Sequence, residues 1–453
     1  MKKHTLAPSA VTVAVYAVMG NARKACIVAM CLGGALISHA SAMTANPILS
    51  RGKTVYTSSG SVTYLTDNKF GLSVQSFTIT NNSWMAIKVG EGSTQVFFNW
   101  NSPKEAWSNV MSPTQCPNNN PMPVDYTLQT SSNSTNGSDG IWDTAAMITG
   151  NLVEARGHLI PFTGASWVKM NISNGGGSID EIEVFDASKG AEDVWFFPGT
   201  SITQMAYKST PPAQDFADLV TQAHPGFNPA MIRGGIGCIT TTDMVNNLPK
   251  YLSMAGNVQY WAIEQGTNDA WAGSSNTTTF TKNMQLIIDS CKAAGVQPII
   301  ARIIATNPTQ AGWQVSSAFL TAVDSLTTQN KLIPGPDLYT YFLNNPAEHN
   351  SDGIHPNATG AASIQRLWAQ TMDSLYKTTS VVKEGNGSVI SKSAQCFFLS
   401  SIKGQITIHA LRAGTLRIFS INGAEQKSLK IPAAGSYSLP ATSGVCIARF
   451  SSE

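Results

Sequence analysis

Between residues 191 and 377, apolar runs of strand length alternate with stretches of helical period, and this alternation limits the possible folds more than any other feature of the chain. The runs are Val194 to Phe197, Ala230 to Ile232, Val258 to Ile263, Pro298 to Ile304 and Leu338 to Phe342. Apolar residues recur at helix spacing at Met284, Ile287, Ile288 and Cys291, and again at Ile364, Leu367, Trp368, Met372 and Leu375. Strands alternating with helices of this length call for a parallel sheet covered on both faces. Ligands of such sheets bind beyond the carboxyl ends of the strands. Ser201 and Asn268 each follow a strand run, so both are expected at that edge.

The flanking regions differ in texture. From about Asn46 to Ser188, short alternating runs (Gly60 to Leu65, Phe77 to Ile79, Met85 to Val89, Gln95 to Trp100, Trp167 to Ile172, Ile179 to Phe185) are separated by Asn, Ser and Gly clusters. No long helical pattern interrupts them, which predicts a β-sandwich. Trp84, Trp100, Trp107 and Trp142 are candidates for stacking on sugar rings, although core packing is the commoner fate of a tryptophan. After a polar Gly, Ser and Lys linker, strand patterns recur at Cys396 to Leu399, Ile406 to Ala410, Thr415 to Ile421 and Val445 to Phe450.

A chain of 453 residues with 42% hydrophobic content can bury more than one core. Only 12% of it is charged and its formal net charge is +2, so it has no basic footprint for nucleic acid. The N-terminus reads as an export signal: an apolar run from Ala25 to Ile37 follows Arg23-Lys24 and ends at the small residues Ala40-Ser41-Ala42. That run is short of the ~20 residues of a membrane span. A second apolar stretch precedes it, and a start at Met19 would leave a signal of ordinary length. The expected organisation is therefore a signal over 1–42, a β-sandwich over 43–190, an α/β domain over 191–378 and a linker with a C-terminal module over 379–453. Removing the leader leaves Cys116, Cys238, Cys291, Cys396 and Cys446. Cys396 with Cys446, and Cys238 with Cys291, are the pairings considered, since sequence does not fix connectivity.

The chemistry lies in the α/β region. A serine hydroxyl needs an imidazole to take its proton and a carboxylate to fix that imidazole's tautomer. Asp352 and His355, three apart beside Pro356 on an expected loop, can meet Ser201 from one side. Asn268 and backbone N–H groups can supply oxyanion donors. Ser201 lacks the G-x-S-x-G elbow, and the Gly234 to Gly237 cluster lacks the spacing of a dinucleotide site. No cysteine or histidine cluster completes a metal site with Asp352 and His355, so neither metal nor cofactor is expected. His349 is read as a loop residue and Asp269 as a brace for the Asn268 loop.

Four segments resemble, in order, the blocks of the SGNH hydrolase superfamily, the GDSL-type esterases: Gly199-Thr200-Ser201, Arg233 to Thr240, Gly266-Thr267-Asn268-Asp269 and Asp352-Gly353-Ile354-His355. The resemblance implies a flavodoxin-like three-layer α/β fold. It makes Ser201 the nucleophile, His355 the general base and Asp352 the triad carboxylate. Ser201, Gly237 and Asn268 would then form the oxyanion hole. Thr200 departs from the family, which usually has Asp there. Val153 to Phe162 with Ser166 to Met170 resembles the discoidin-like jelly roll of carbohydrate-active enzymes. Gly414 to Gly423, Gly435 to Leu439 and Gly444 to Arg449 resemble the tails of proteins secreted by Bacteroidetes and Fibrobacter-like bacteria, which implies a small C-terminal β-sandwich. Together these imply a secreted or surface-held serine esterase of a Gram-negative bacterium that removes O-acetyl groups from polysaccharide such as acetyl xylan. Trp271 is a candidate sugar contact, and the C-terminal module would engage the secretion machinery or cell surface. A lipase or arylesterase, and a noncatalytic carbohydrate-binding protein, are the alternatives.

Overall fold

The computed structural model describes residues 45–104, 120–209, 214–254 and 257–377, together with eight strands near the two ends of the chain. Two compact units result, Ala40–Val381 and a second formed by Met1–His39 with Val382–Glu453. The proposed signal cleavage site, Trp107, Cys116 and Cys396 lie outside the described residues.

At the centre of the larger unit is a five-stranded parallel sheet. Its order in space is Ala230–Arg233, Val194–Phe197, Tyr260–Ile263, Gln297–Arg302, Pro334–Asp337. Numbered along the chain this is 2-1-3-4-5, the flavodoxin-like order, with its reversal between the first and third strands. The strand Val194–Phe197 is buried on both sides. Val194 and Phe196 enter one core with Met244, Met284, Ile287 and Phe319. Trp195 and Phe197 enter another with Phe216, Ile364, Trp368 and Met372. Alternate side chains of a strand point to opposite faces, so a wholly apolar run is what a sheet between two helix layers requires. The apolar stripes read from the sequence lie on the helices Thr278–Ala293 and Ala358–Lys377.

One sequence expectation is corrected here. Leu338 to Phe342 is not a strand but part of the helix Leu338–Asn344, and the fifth strand is the preceding Pro334–Asp337. The carboxylate of Asp337 accepts the N–H of Thr340 at 2.9 Å and starts the helix, while Leu338 and Phe342, one turn apart, are its buried face.

N-terminal to this sheet, a three-stranded antiparallel sheet (Ala155–Pro161, Gln95–Asn101, Glu181–Asp186) and a six-stranded one share a core. Trp100 is fully buried in that core, so it is not a sugar-stacking surface. Trp84 and Trp142 are half-buried and hold the ammonium of Lys169 over their rings, at 5.3 and 3.8 Å from the centroids.

The two halves of this unit are joined at the edge strand Ala230–Arg233. Asn99 and Asn101 both donate through Nδ2 to the carbonyl of Met231, at 2.7 and 3.1 Å, and Asn101 Oδ1 accepts the N–H of Arg233 at 2.8 Å. The guanidinium of Arg233 pairs with the buried carboxylate of Asp180 at 3.3 Å and lies over the ring of Phe70. Backbone groups that a neighbouring strand would satisfy are thus met by side-chain amides.

In the smaller unit the described strands are all paired antiparallel. One sheet runs Val28–Leu32, Ala10–Tyr16, Cys446–Ser452, Gly414–Ser420, Glu425–Ile431, and the other Phe397–Ile402, Gln405–Ala410, Gly435–Pro440. Among the described residues no helix is long and apolar enough to cross a membrane.

Candidate active site

Ser201 opens the short helix Ser201–Gln204 directly beyond the strand Val194–Phe197. Thr200 is its N-cap, with an extended backbone and a hydroxyl that accepts the N–H of Ile202. Asn268 follows the neighbouring strand Tyr260–Ile263, so the two residues flank the point where the strand order reverses.

Three side chains meet there. Ser201 Oγ lies 2.8 Å from His355 Nε2, and His355 Nδ1 lies 2.7 Å from Asp352 Oδ2. The turn that holds Asp352 and His355 is built locally. Asp352 Oδ1 accepts the backbone N–H groups of Ile354 at 2.8 Å and His355 at 3.0 Å, and Asn350 donates its N–H to the carbonyl of His355 at 2.7 Å. Gly353 has φ +68°, and a Cβ there would lie 2.7 Å from the nitrogen of Ala311, so the turn needs glycine. Burial pushes the Asp352 carboxyl up, but the N–H groups of His355 and Ile354 and the imidazole outweigh it and hold its pKa below the usual carboxylate value. Asp352 is therefore an anion at neutral pH.

The loop after Arg233 is laid against the helix of Ser201. Ile236 donates its N–H to the carbonyl of Gly199 at 3.0 Å, and a Cβ on Gly235, whose φ is +102°, would come within 2.3 Å of the nitrogen of Gln204. Gly237 is the next residue of this loop. Asn268 donates through Nδ2 to the carbonyl of Ile239 at 2.7 Å, which ties the two loops together, and an amide NH2 has a second hydrogen for a ligand. Asp269 accepts the hydroxyl and N–H of Thr241 at 2.6 and 3.0 Å, and burial raises its pKa. His349 is buried, its ring nitrogens on the carbonyls of Ala305 at 2.8 Å and Pro346 at 3.2 Å.

Trp271 is 51% exposed and rests against Trp313, with ring centroids 5.3 Å apart. Trp313 belongs to the loop that also supports the Asp352 turn, where Asn307 donates its N–H to the carbonyl of Gly353 at 2.7 Å. Sequence reasoning passes over Trp313, which lies 42 residues from Trp271 and in no motif. It also passes over Glu264. That carboxylate is fully buried beneath the Ser201 turn, where Thr200, Thr203 and Thr267 all donate to it.

Cysteine pairing is corrected as well. Cys238, beside Gly237, is disulfide-bonded, but Cys291 is a free buried thiol on the core face of its helix, so the two do not pair. Among the described residues no group of three His, Cys, Asp or Glu side chains could hold a metal ion.

No protein-family model matches the chain, and no curated protein does. Among solved structures it is similar to a lipase/acylhydrolase from Enterococcus faecalis, with 19% identity over 40% of this chain and 95% of that one and a TM-score of 0.34. An acetylxylan esterase from Geobacillus stearothermophilus is 14% identical over 40% and 94%, with a TM-score of 0.33. A Bacillus subtilis protein matches 67% of this chain and 87% of its own at 12% identity and a TM-score of 0.39. Likenesses of this size do not assign a reaction.

Proposed function

We propose that the protein is a secreted serine esterase that removes O-acetyl groups from a polysaccharide such as acetyl xylan. The observation that carries the esterase part is the unbroken hydrogen-bonded chain from Ser201 Oγ through the His355 ring to the Asp352 carboxylate. His355 Nε2 takes the Ser201 proton as Oγ attacks the ester carbonyl. The oxyanion receives N–H groups from the Ser201 and Gly237 backbones and from the Asn268 side chain. The bond to the sugar oxygen then breaks, and His355 returns the proton to that oxygen. Water attacks the acetyl-serine with His355 as base, acetate leaves and Ser201 Oγ regains its proton. Asp352 stays ionised throughout and holds the imidazole tautomer.

The polysaccharide part rests on the export-type leader, the half-exposed Trp271 beside Trp313, and the resemblance of the N-terminal β region to the jelly rolls of carbohydrate-active enzymes. The C-terminal module would serve attachment or sorting at the cell surface. The test is acetate release from acetylated xylan, with a p-nitrophenyl acyl series beside it. Release that favours acetyl and falls about 10⁶-fold in Ser201→Ala is the expected result. Turnover of long acyl chains without xylan deacetylation would move the protein to the lipases. No turnover of any ester would overturn the enzyme reading in favour of a binding protein.

A further inference from the structure

Glu264 ends the strand run Tyr260–Ile263 and is 1% exposed. A carboxyl group so deep in a fold requires several hydrogen-bond partners, and the structure supplies them from three places in the site. Oε2 accepts the Thr200 hydroxyl at 2.8 Å, the Thr203 hydroxyl at 3.2 Å and the Thr200 N–H at 3.5 Å. Oε1 accepts the Thr267 hydroxyl at 3.4 Å. Thr200 and Thr203 bracket Ser201, and Thr267 immediately precedes Asn268. A single side chain therefore grips the residues next to the serine and the residue next to the amide. The main chain repeats the link, since the Glu264 N–H donates to the carbonyl of Pro198 at 3.2 Å. Little slack exists around this grip: a Cβ on Gly199 would fall 2.0 Å from the Thr203 hydroxyl and 2.8 Å from the Glu264 carbonyl.

We propose that Glu264 is the positioning residue that sets the separation of Ser201 Oγ from the Asn268 amide, acting through its coupling to Thr200, Thr203 and Thr267. Glu264 touches neither nucleophile nor substrate; it acts through the threonines. A Thr200→Asp change would put a second carboxylate where the Thr200 hydroxyl now donates, and two carboxylates at hydrogen-bond distance cannot both stay ionised. The acid at the end of the third strand thus has a neutral donor facing it from the nucleophile's loop. This inference deepens the esterase reading and rests on it for the catalytic readout.

The experiment is a cycle of Glu264→Gln, Thr200→Asp and the double variant in the full chain, read by ester kinetics and by urea unfolding. Misplacing an oxyanion donor by a fraction of an ångström to about 1 Å costs up to about 100-fold in rate. Glu264→Gln is expected to lower kcat about 10- to 100-fold with KM within about threefold, because the groups that hold the substrate are untouched. Thr200→Asp alone should lose both kcat and urea resistance. In the double variant the repulsion between the two acids is gone, since the new amide on the third strand donates to the new carboxylate beside the serine. Both readouts should then recover, kcat to within about tenfold of the wild type and the urea midpoint to near its wild-type value. A double variant no better than Thr200→Asp, or a Thr200→Asp variant with unchanged kcat and midpoint, would overturn the proposal. Should the wild type turn over no ester, the esterase reading fails by itself. The unfolding arm still decides whether Thr200 and Glu264 are coupled.

Discussion

Asp193 precedes the first strand of the parallel sheet, at the end away from Ser201, and its carboxyl is 1% exposed. Oδ1 accepts the indole N–H of Trp195 at 2.8 Å and the hydroxyl of Tyr376 at 2.9 Å, while Oδ2 is buried with no partner among the described residues. Burial raises its pKa to about 7, against the pull of the two donors. The unfolded chain releases this proton at about pH 3.9. A folded state that keeps a proton the unfolded state has lost is destabilised as pH rises, so the cost grows from about pH 4 to about pH 7 and is constant above. About three pH units at about 1.36 kcal/mol each give about 4 kcal/mol. Asp193→Asn removes this cost and keeps an oxygen for both donors, but buries an NH2 group at about 1–3 kcal/mol. The variant should therefore be less stable than the wild type at about pH 4 and more stable, by about 1–3 kcal/mol, at about pH 8. Urea unfolding followed by tryptophan fluorescence at both pH values measures this directly. Taking the difference between the two proteins cancels every other titrating group. A difference that does not change with pH would refute the reasoning.

Other perturbations separate the remaining interactions. Asp180→Ala takes from the guanidinium of Arg233, only 3% exposed, the carboxylate it pairs with and should cost about 3–5 kcal/mol in urea unfolding, while Asp180→Leu with Arg233→Met should recover most of it; equal loss in both would deny the pair any role. Burial raises the pKa of the Cys291 thiol far above its usual value, so an alkylating reagent should leave it unmodified in the folded chain and react once the chain is unfolded in urea. Labelling at the same rate in both states would place Cys291 outside the core. Trp271→Ala and Trp313→Ala should each raise KM for acetylated xylo-oligosaccharide about 3- to 10-fold and leave p-nitrophenyl acetate turnover nearly unchanged; equal effects on both substrates would argue for a structural role of the pair.

The sequence and the structure agree where physics is local. Strand runs such as Val194 to Phe197 are apolar throughout because both faces of the sheet are covered, and that pattern survives without any knowledge of neighbours. Ser201, Asn268, Asp352 and His355 stand in short motifs, but only the Asp352 turn is shaped by its own residues, through the N–H groups on Asp352 Oδ1 and the positive φ of Gly353; the Ser201 turn is held by Glu264 and by the loop after Arg233. The fifth strand is not legible, since Pro334-Gly335-Pro336-Asp337 has the composition of a turn and owes its strand pairing to Gln297–Arg302. The run Gln95 to Trp100 reads as a strand of a sandwich, but nothing in it reveals that Asn99, and Asn101 beyond it, are wholly buried, because the edge strand that takes up their amides lies 132 and 130 residues away. Glu264 is hidden for the same reason. A charged residue at the end of an apolar run reads as a solvent-facing strand end, and its partners Thr200 and Thr203 lie 64 and 61 residues away.

The amides of Asn99 and Asn101 also bear on how such a protein can be taken apart. Because they occupy the outer side of Ala230–Arg233, the half of the unit that carries Ser201 has no self-sufficient border on that flank. Cutting the chain near residue 190 would bare the carbonyl of Met231, the N–H of Arg233 and an unpaired guanidinium at once, on a strand ready to accept another chain. The portion that carries Ser201 is thus not a cassette that could be grafted onto a different partner unchanged.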